Sequence, residues 1–229
     1  MGTYGTTVLD RCARYVLAAV LSCALIPATA WGTVTLGQID DFEDGTMQNW
    51  VEGGPSPNPP FNIADGGPGG AGDNYLSLTA SGGSGPGSRQ IMFNRVQWRG
   101  NFISAGVDTV SAMMANFGAA PVTMRVAIEG DFGQRFASTT GQVLPADGVW
   151  YPVSFDLTAN GMTQVGGTHV LPIVLSNVNE FRILASAAPS YLGDAIVSSV
   201  GVDDIAAVPE PASLGLLALG AVWGLRRRS

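Results

Sequence analysis

The chain has 229 residues, a net charge of −7 and a high content of turn-forming residues, with 31 Gly and 14 Pro. Both cysteines, Cys12 and Cys23, fall in the first 30 residues, which excludes disulfides, thiol nucleophiles and cysteine-ligated metals from the rest of the chain. Residues 31–207 contain six Arg, no Lys and 16 Asp or Glu, a net charge of −10, so their overall field opposes binding to nucleic acid or anionic lipid.

The first 30 residues have the pattern of a secretory signal peptide. Arg11 and Arg14 precede an apolar stretch at 15–26, and Ala-Thr-Ala at 28–30 supplies a cleavage pattern of small residues. The expected partners are the secretion translocon and signal peptidase. A lipoprotein signal ending at Cys23 is the alternative, although Leu21 is bulky where such signals usually have a small residue.

Residues 31–207 are predicted to form one all-β domain. Val122, Met124, Val126 and Ile128 alternate with more polar residues, which is typical of a strand with one buried face. Short β-rich segments separated by turn residues favour an antiparallel β-sandwich of jelly-roll type. The Gly- and Pro-rich stretch 53–72 is predicted to be a long loop. The predicted strands are 33–42, 74–80, 89–94, 109–117, 122–129, 134–140, 150–157, 178–186 and 197–205.

Two stretches resemble the first and last strands of galactose-binding-like and carbohydrate-binding-module jelly rolls. They are residues 39–45, followed by Trp50, and residues 201–205. Many such domains hold a structural calcium between these strands, and the resemblance implies Glu43 and Asp203 as ligands of that possible cofactor. The equally weighted alternative is that these carboxylates cap turns and face water. The reserve ligands are Asp41, Asp44, Asp73 and Asp204.

The candidate sugar-binding site is Trp98, with Arg95 and Arg99 as polar partners. Carbohydrate modules stack sugar rings on exposed aromatic side chains, and Trp150 is a second candidate for this role. Tryptophan is highly buried on average, so core packing is the favoured interpretation of both residues.

The chain shows no recognisable catalytic motif. His169 is the only histidine and has no metal-ligand spacing around it. A pair of carboxylates for glycoside hydrolysis could come from Glu129, Asp131, Asp156 and Glu180, but their spacing gives no reason for them to converge. We therefore expect a protein that is not an enzyme.

The C-terminal tail, residues 208–229, has three parts. Val208-Pro209-Glu210-Pro211 breaks regular structure, residues 212–225 are largely apolar, and Arg226, Arg227 and Arg228 form a cationic end. The tail resembles the PEP-CTERM sorting signal of Gram-negative bacteria. This resemblance implies recognition by an exosortase, a transient hydrophobic helix in the inner membrane and removal of the tail. An ordinary membrane anchor is the alternative, but the apolar run is short for a permanent span.

These features together predict a secreted protein of the cell surface or of the extracellular polysaccharide matrix. The alternative function is a carbohydrate-binding module for exopolysaccharide, and an extracellular glycoside hydrolase or lyase is the third. The acidic charge predicts no nucleic-acid partner.

Overall fold

The computed structural model describes residues 33–85 and 87–209. The predicted signal peptide and the tail beyond Pro209 lie outside the described residues. Within them, twelve strands form two antiparallel sheets of six strands each, as predicted for an all-β sandwich. Sheet A consists of β1 (Ile39–Asp40), β2 (Phe61–Ile63), β3 (Tyr75–Ser81), β5 (Thr109–Asn116), β9 (Trp150–Asp156) and β12 (Val197–Val208). Sheet B consists of β4 (Ile91–Asn94), β6 (Val122–Glu129), β7 (Arg135–Ser138), β8 (Gln142–Leu144), β10 (Met162–Gly166) and β11 (Glu180–Ala185).

The strand order places one long strand in the middle of each sheet. Sheet A runs β2-β3-β12-β5-β9, with β1 paired to the C-terminal part of β12. Sheet B runs β10-β7-β6-β11-β4, with β8 paired to the start of β6. Two short helices, α1 (Phe102–Ala105) and α2 (Leu171–Leu175), lie in the connections. No helix of the described residues is long and apolar enough to cross a membrane.

The core between the sheets follows from the period of two in the strands. On β6, Val122, Met124, Val126 and Ile128 face the core, as predicted from their alternation. The largest buried side chains are aromatic, and Phe181 on β11 contacts several of them, with ring centroids 5.1 Å from Trp98 and 6.1 Å from Phe102. Burial of this aromatic area contributes a large share of the stability of residues 33–209, which contain no cysteine.

Three strands are absent from the sequence prediction, and one is much shorter than expected. β2 lies inside the stretch 53–72 that was predicted to be a loop, and β8 and β10 are short strands in a region rich in turns. Only Ile39 and Asp40 of the predicted strand 33–42 pair with a neighbour. The chain turns away at Phe42, whose φ of 57° is incompatible with extended backbone.

Candidate functional site: an arginine face on sheet B

Four of the six arginines in residues 31–207 lie on one surface. On β7 and β11, residues that alternate with core residues point away from the core, which places Arg135 and Arg182 on the outer face of sheet B. Arg89 and Arg95 flank β4 on the same side. We call this surface the arginine face; it consists of Arg89, Arg95, Arg135, Arg182, Phe93 and Tyr191.

Guanidinium groups and aromatic rings alternate along this face. The guanidinium carbon of Arg95 lies 4.6 Å from the ring centroid of Phe93, and that of Arg182 lies 5.4 Å from the same ring. The guanidinium carbon of Arg182 also lies 3.6 Å from the ring centroid of Tyr191, and that of Arg135 lies 4.1 Å from the same centroid. Because each contact is within the range of cation–π attraction, the rings help to fix the orientation of the arginines.

Two glutamates lie beneath the arginines. Glu129 on β6 and Glu180 on β11 are direct cross-strand partners, an arrangement in which two like charges repel. Glu180 is 2% exposed and forms ion pairs with Arg95 and Arg182, while the Tyr191 hydroxyl donates to its Oε1 at 2.6 Å. The arginines therefore compensate the repulsion between the two carboxylates.

Glu129 is held ionised by its neighbours. Its Oε2 accepts a hydrogen bond from Arg135 Nε at 2.8 Å. Burial acts to raise the pKa of Glu129, but hydrogen bonds from Tyr191 and Arg135, with the charges of Arg135 and Arg182, lower it overall. Burial, followed by hydrogen bonding to both glutamates, raises the pKa of the Tyr191 hydroxyl, which stays protonated and donating.

A cavity of about 290 Å³ opens at the β4 side of the arginine face. Its walls include Arg89 and Arg182, and its apolar surface comes from Ile91, Phe93 and Leu192. The Arg89 guanidinium donates to the backbone oxygens of Gly193 at 2.7 Å and Ser84 at 3.4 Å. The remaining lining residues are Gly53, Ser84, Gly85 and Gly87.

The site predicted around Trp98 does not assemble. Trp98 is fully buried, and its indole nitrogen donates to Asp40 Oδ2 at 2.6 Å. The interpretation of Trp98 as a core residue is therefore correct, and the prediction that a sugar stacks on its ring is wrong. Arg95 belongs to the arginine face instead. Arg99 is exposed and does not line the cavity of the arginine face.

Trp150 lies outside the core, contrary to the favoured interpretation. It packs on the outer face of sheet A, with its ring centroid 5.2 Å from Tyr75 and 6.0 Å from Phe117, and its indole nitrogen donates to Gly66 O at 3.1 Å. Phe117 is 41% exposed. We call Tyr75, Phe117 and Trp150 the aromatic trio. Trp150 is partly exposed and remains a candidate for stacking.

Several of the carboxylates proposed as calcium ligands lie near one another at the middle of β12. Burial, with the neighbouring charges of Asp204, Asp73 and Glu43, raises the pKa of Asp203 to about 7. One carboxylate oxygen of each of the two main candidate ligands already accepts a hydrogen bond from a backbone N–H. Asp203 Oδ1 accepts from Asp204 N, and Glu43 Oε1 accepts from Asn74 N. Asp44 is exposed and accepts from Thr46, as a turn cap does.

Contacts within turns use oxygens of the reserve carboxylates Asp41 and Asp73. Among the described residues, no three His, Cys, Asp or Glu side chains converge well enough to hold a metal ion. Asp41 accepts from Glu43 N, and Asp73 Oδ2 from Gly69 N, which are contacts of turns. Calcium binding stays a prediction.

The structure brings together two of the four carboxylates considered for glycoside hydrolysis. Glu129 and Glu180 are neighbours, whereas Asp131 accepts from the side chains of Asn177 and Asn179 elsewhere. Asp156 is exposed and accepts from Thr158 N. His169 is exposed and lines a separate cavity together with Asp131.

Sequence reasoning missed five of the six residues of the arginine face: Arg89, Arg135, Arg182, Phe93 and Tyr191. The alternation on β11 was a usable signal, because it places Glu180 and Arg182 on the face opposite Phe181. Tyr191 follows β11 on a connecting segment, and no local pattern indicates that it folds back over the sheet.

Residues 207–228 match the PEP-CTERM protein-sorting motif. The fold is similar to part of an exo-β-agarase, at a TM-score of 0.52 and 13% identity over 77% of this chain and 25% of that one. It is also similar to a family 11 carbohydrate-binding module from Clostridium thermocellum, solved in complex with a β-1,3-1,4-mixed-linked tetrasaccharide, at a TM-score of 0.50 and 12% identity over 76% of this chain and 97% of that one. No curated protein matches the chain. The comparisons confirm the sorting motif and the jelly-roll type of the fold.

Proposed function

We propose that this chain is an exported, surface-sorted protein without catalytic activity, and that its sandwich binds carbohydrate in the cavity of the arginine face. One observation carries the proposal. The cavity combines an aromatic ring, Phe93, with guanidinium groups fixed by other contacts, and small ligands bind where an apolar surface meets a few well-placed polar groups. The carbohydrate-binding module of similar fold supports the choice of ligand class.

The sorting motif supports export and placement at the bacterial cell surface. We extend this to processing by an exosortase, in a Gram-negative organism, with release or attachment outside the cell. Mass spectrometry of the mature protein is expected to find that residues 214–228 have been removed. Exopolysaccharide is the ligand that we propose for the protein at the cell exterior.

The Glu129–Glu180 pair is better suited to structure than to hydrolysis. A glycosidase needs one protonated carboxyl group and one carboxylate that reaches the substrate. Glu129 has a lowered pKa, and Glu180 is buried beneath two arginines and Tyr191. This arrangement supports a binding role for the face.

The test is glycan binding by the mature protein, first on a glycan array and then by calorimetry with the best ligand. We expect saturable binding that falls about tenfold or more in Phe93→Ala, because the variant loses the ring of the cavity. Phe61→Ala is the matched control, since Phe61 is 65% exposed on β2 of the other sheet, and it should bind normally.

Phe93→Leu separates stacking from folding. It keeps the apolar bulk between Arg95 and Arg182 but removes the aromatic face, so it should melt near the parent and still bind weakly. Folded protein that binds no glycan would contradict the proposal, as would unchanged binding by both Phe93 variants.

A further inference from the structure

We propose that the cavity of the arginine face selects glycans that carry an anionic group, with Arg89 as the residue that binds the acid. The inference rests on the proposed carbohydrate binding and adds the chemical class of the ligand. It comes from the balance of charge around the cavity and from the hydrogen-bond donors that the protein leaves unused there.

Positive charge exceeds negative charge at this cavity. Arg95 and Arg182 share a single carboxylate, Glu180. Arg89 forms no ion pair with any residue in 33–85 or 87–209. Two arginines, Arg89 and Arg182, line the cavity, and of these only Arg182 has a carboxylate partner among the described residues. An anionic ligand balances the excess positive charge of the cavity, and charge complementarity of this kind gives a binding site specificity for its ligand.

The guanidinium groups are also positioned in advance. Arg89 uses Nε and Nη1 to donate to the Ser84 and Gly193 carbonyl oxygens, and Arg182 uses the same two atoms for Glu180 and the Tyr191 carbonyl oxygen. Nη2 of both groups donates to none of the described residues. Guanidinium bonds to carboxylate or sulfate are charge-assisted, so an acid group placed at these donors gains more than a neutral hydroxyl does.

The rest of the cavity suits a sugar ring that bears the acid group. Ile91, Phe93 and Leu192 offer apolar surface, while Gly53, Gly85 and Gly87 leave the rim without side chains. Asp203 and Asp204 lie on β12 of sheet A, in the other layer of the sandwich. At physiological salt, charges beyond about 8 Å are largely screened, so the net charge of the domain does not prevent this local attraction.

The experiment compares three polymers by calorimetry with the full mature protein. Polygalacturonate supplies carboxylates, its methyl ester has the same backbone without the charge, and a sulfated galactan supplies a different acid. We expect an acidic polymer to bind about tenfold or more tightly than the ester, with affinity that falls as salt rises. The two acidic polymers distinguish uronate from sulfate.

Arg89→Gln is expected to remove most of the preference for acid while leaving the weak binding of the ester. Arg99→Gln is the matched control, because it removes an exposed arginine outside the cavity. Equal binding of the ester and the acidic polymers, or unchanged acid preference in Arg89→Gln, would overturn this inference. If neutral and acidic glycans bind equally well and Phe93→Ala abolishes that binding, carbohydrate binding survives and acid selection fails; if no glycan binds, both fail.

Discussion

Asp40 shows how much one buried residue organises in this protein. Its Oδ2 accepts hydrogen bonds from the indole nitrogens of Trp50 at 2.7 Å and Trp98 at 2.6 Å, and from Gln97 Nε2 at 3.0 Å. Burial raises the pKa of Asp40, and the three hydrogen bonds act in the opposite direction. The two largest side chains of the core therefore have a single acceptor in common.

We predict that Asp40→Ala lowers the free energy of unfolding by roughly 2–4 kcal/mol, because two buried indole donors lose their acceptor. Chemical denaturation followed by tryptophan fluorescence measures the loss. Asp40→Asn is the control, since its amide oxygen can still accept a bond, and it should lose clearly less. Equal losses in the two variants would show that the acceptor is not what stabilises the pair.

The sequence could not identify this arrangement. Trp98 stands between polar residues and has the local pattern of an exposed ring, and its acceptor lies 58 residues earlier in the chain. The same limit applies to Glu180, which could be named as a candidate carboxylate but not placed beside Glu129. Contacts across strands depend on register, which local patterns determine only weakly.

At the scale of elements, β12 shows why a glycine is needed in a central strand. Gly201 lies under the aromatic trio, and a Cβ added there would come within 2.7 Å of Trp150 Cη2 and 2.8 Å of Phe117 Cε2. The missing side chain lets both rings pack directly on the outer face of sheet A. This close packing is one reason for the partial burial of Trp150.

We predict that Gly201→Ala destabilises the protein by about 1–3 kcal/mol, because both rings must move from their packed positions. Near-ultraviolet circular dichroism, combined with thermal melting, reports the displacement and its cost. Gly85→Ala is the control, since a Cβ there meets no atom within 4 Å. An unchanged melting temperature in Gly201→Ala would mean that the rings adapt freely.

Elements with strong alternation were predictable, and those without it were not. β6 occupies the predicted residues 122–129, because its apolar residues recur every second position over eight residues. β2 is three residues long and lies within a Gly- and Pro-rich stretch, so its pairing with β3 depends on the sheet that is already present. Short edge strands of this type carry little information of their own.

At the scale of the whole molecule, Glu52 makes stability depend on pH. The residue is 7% exposed, its Oε2 accepts from Ser56 Oγ at 2.7 Å, and its buried Oε1 has no partner among the described residues. Burial raises the pKa of Glu52 from 4.5 to about 7, although the bond from Ser56 opposes the shift. Between these two values the folded protein keeps a proton that the unfolded chain loses.

We therefore predict that the contribution of Glu52 to stability is fully present below pH 4.5 and is lost as pH rises through 7. Glu52→Gln should weaken the fall in melting temperature between pH 5 and pH 8, because glutamine is neutral throughout. Asp147→Asn is the control, since Asp147 is exposed and has a lowered pKa. If the melting temperature falls equally in Glu52→Gln and in the parent, groups other than Glu52 cause the pH dependence.

The position of β12 also determines when this protein can fold. β12 lies between β3 and β5, and its last two residues, Ala207 and Val208, already belong to the matched sorting motif. Sheet A therefore stays divided until nearly the whole chain has been exported, and the long-range pairing that then completes it is intrinsically slow. During that interval the edges of β3 and β5 are open to pairing with other chains. Because the matched sorting motif begins inside the central strand of sheet A, the last step of sheet assembly involves the same residues that begin the sorting signal.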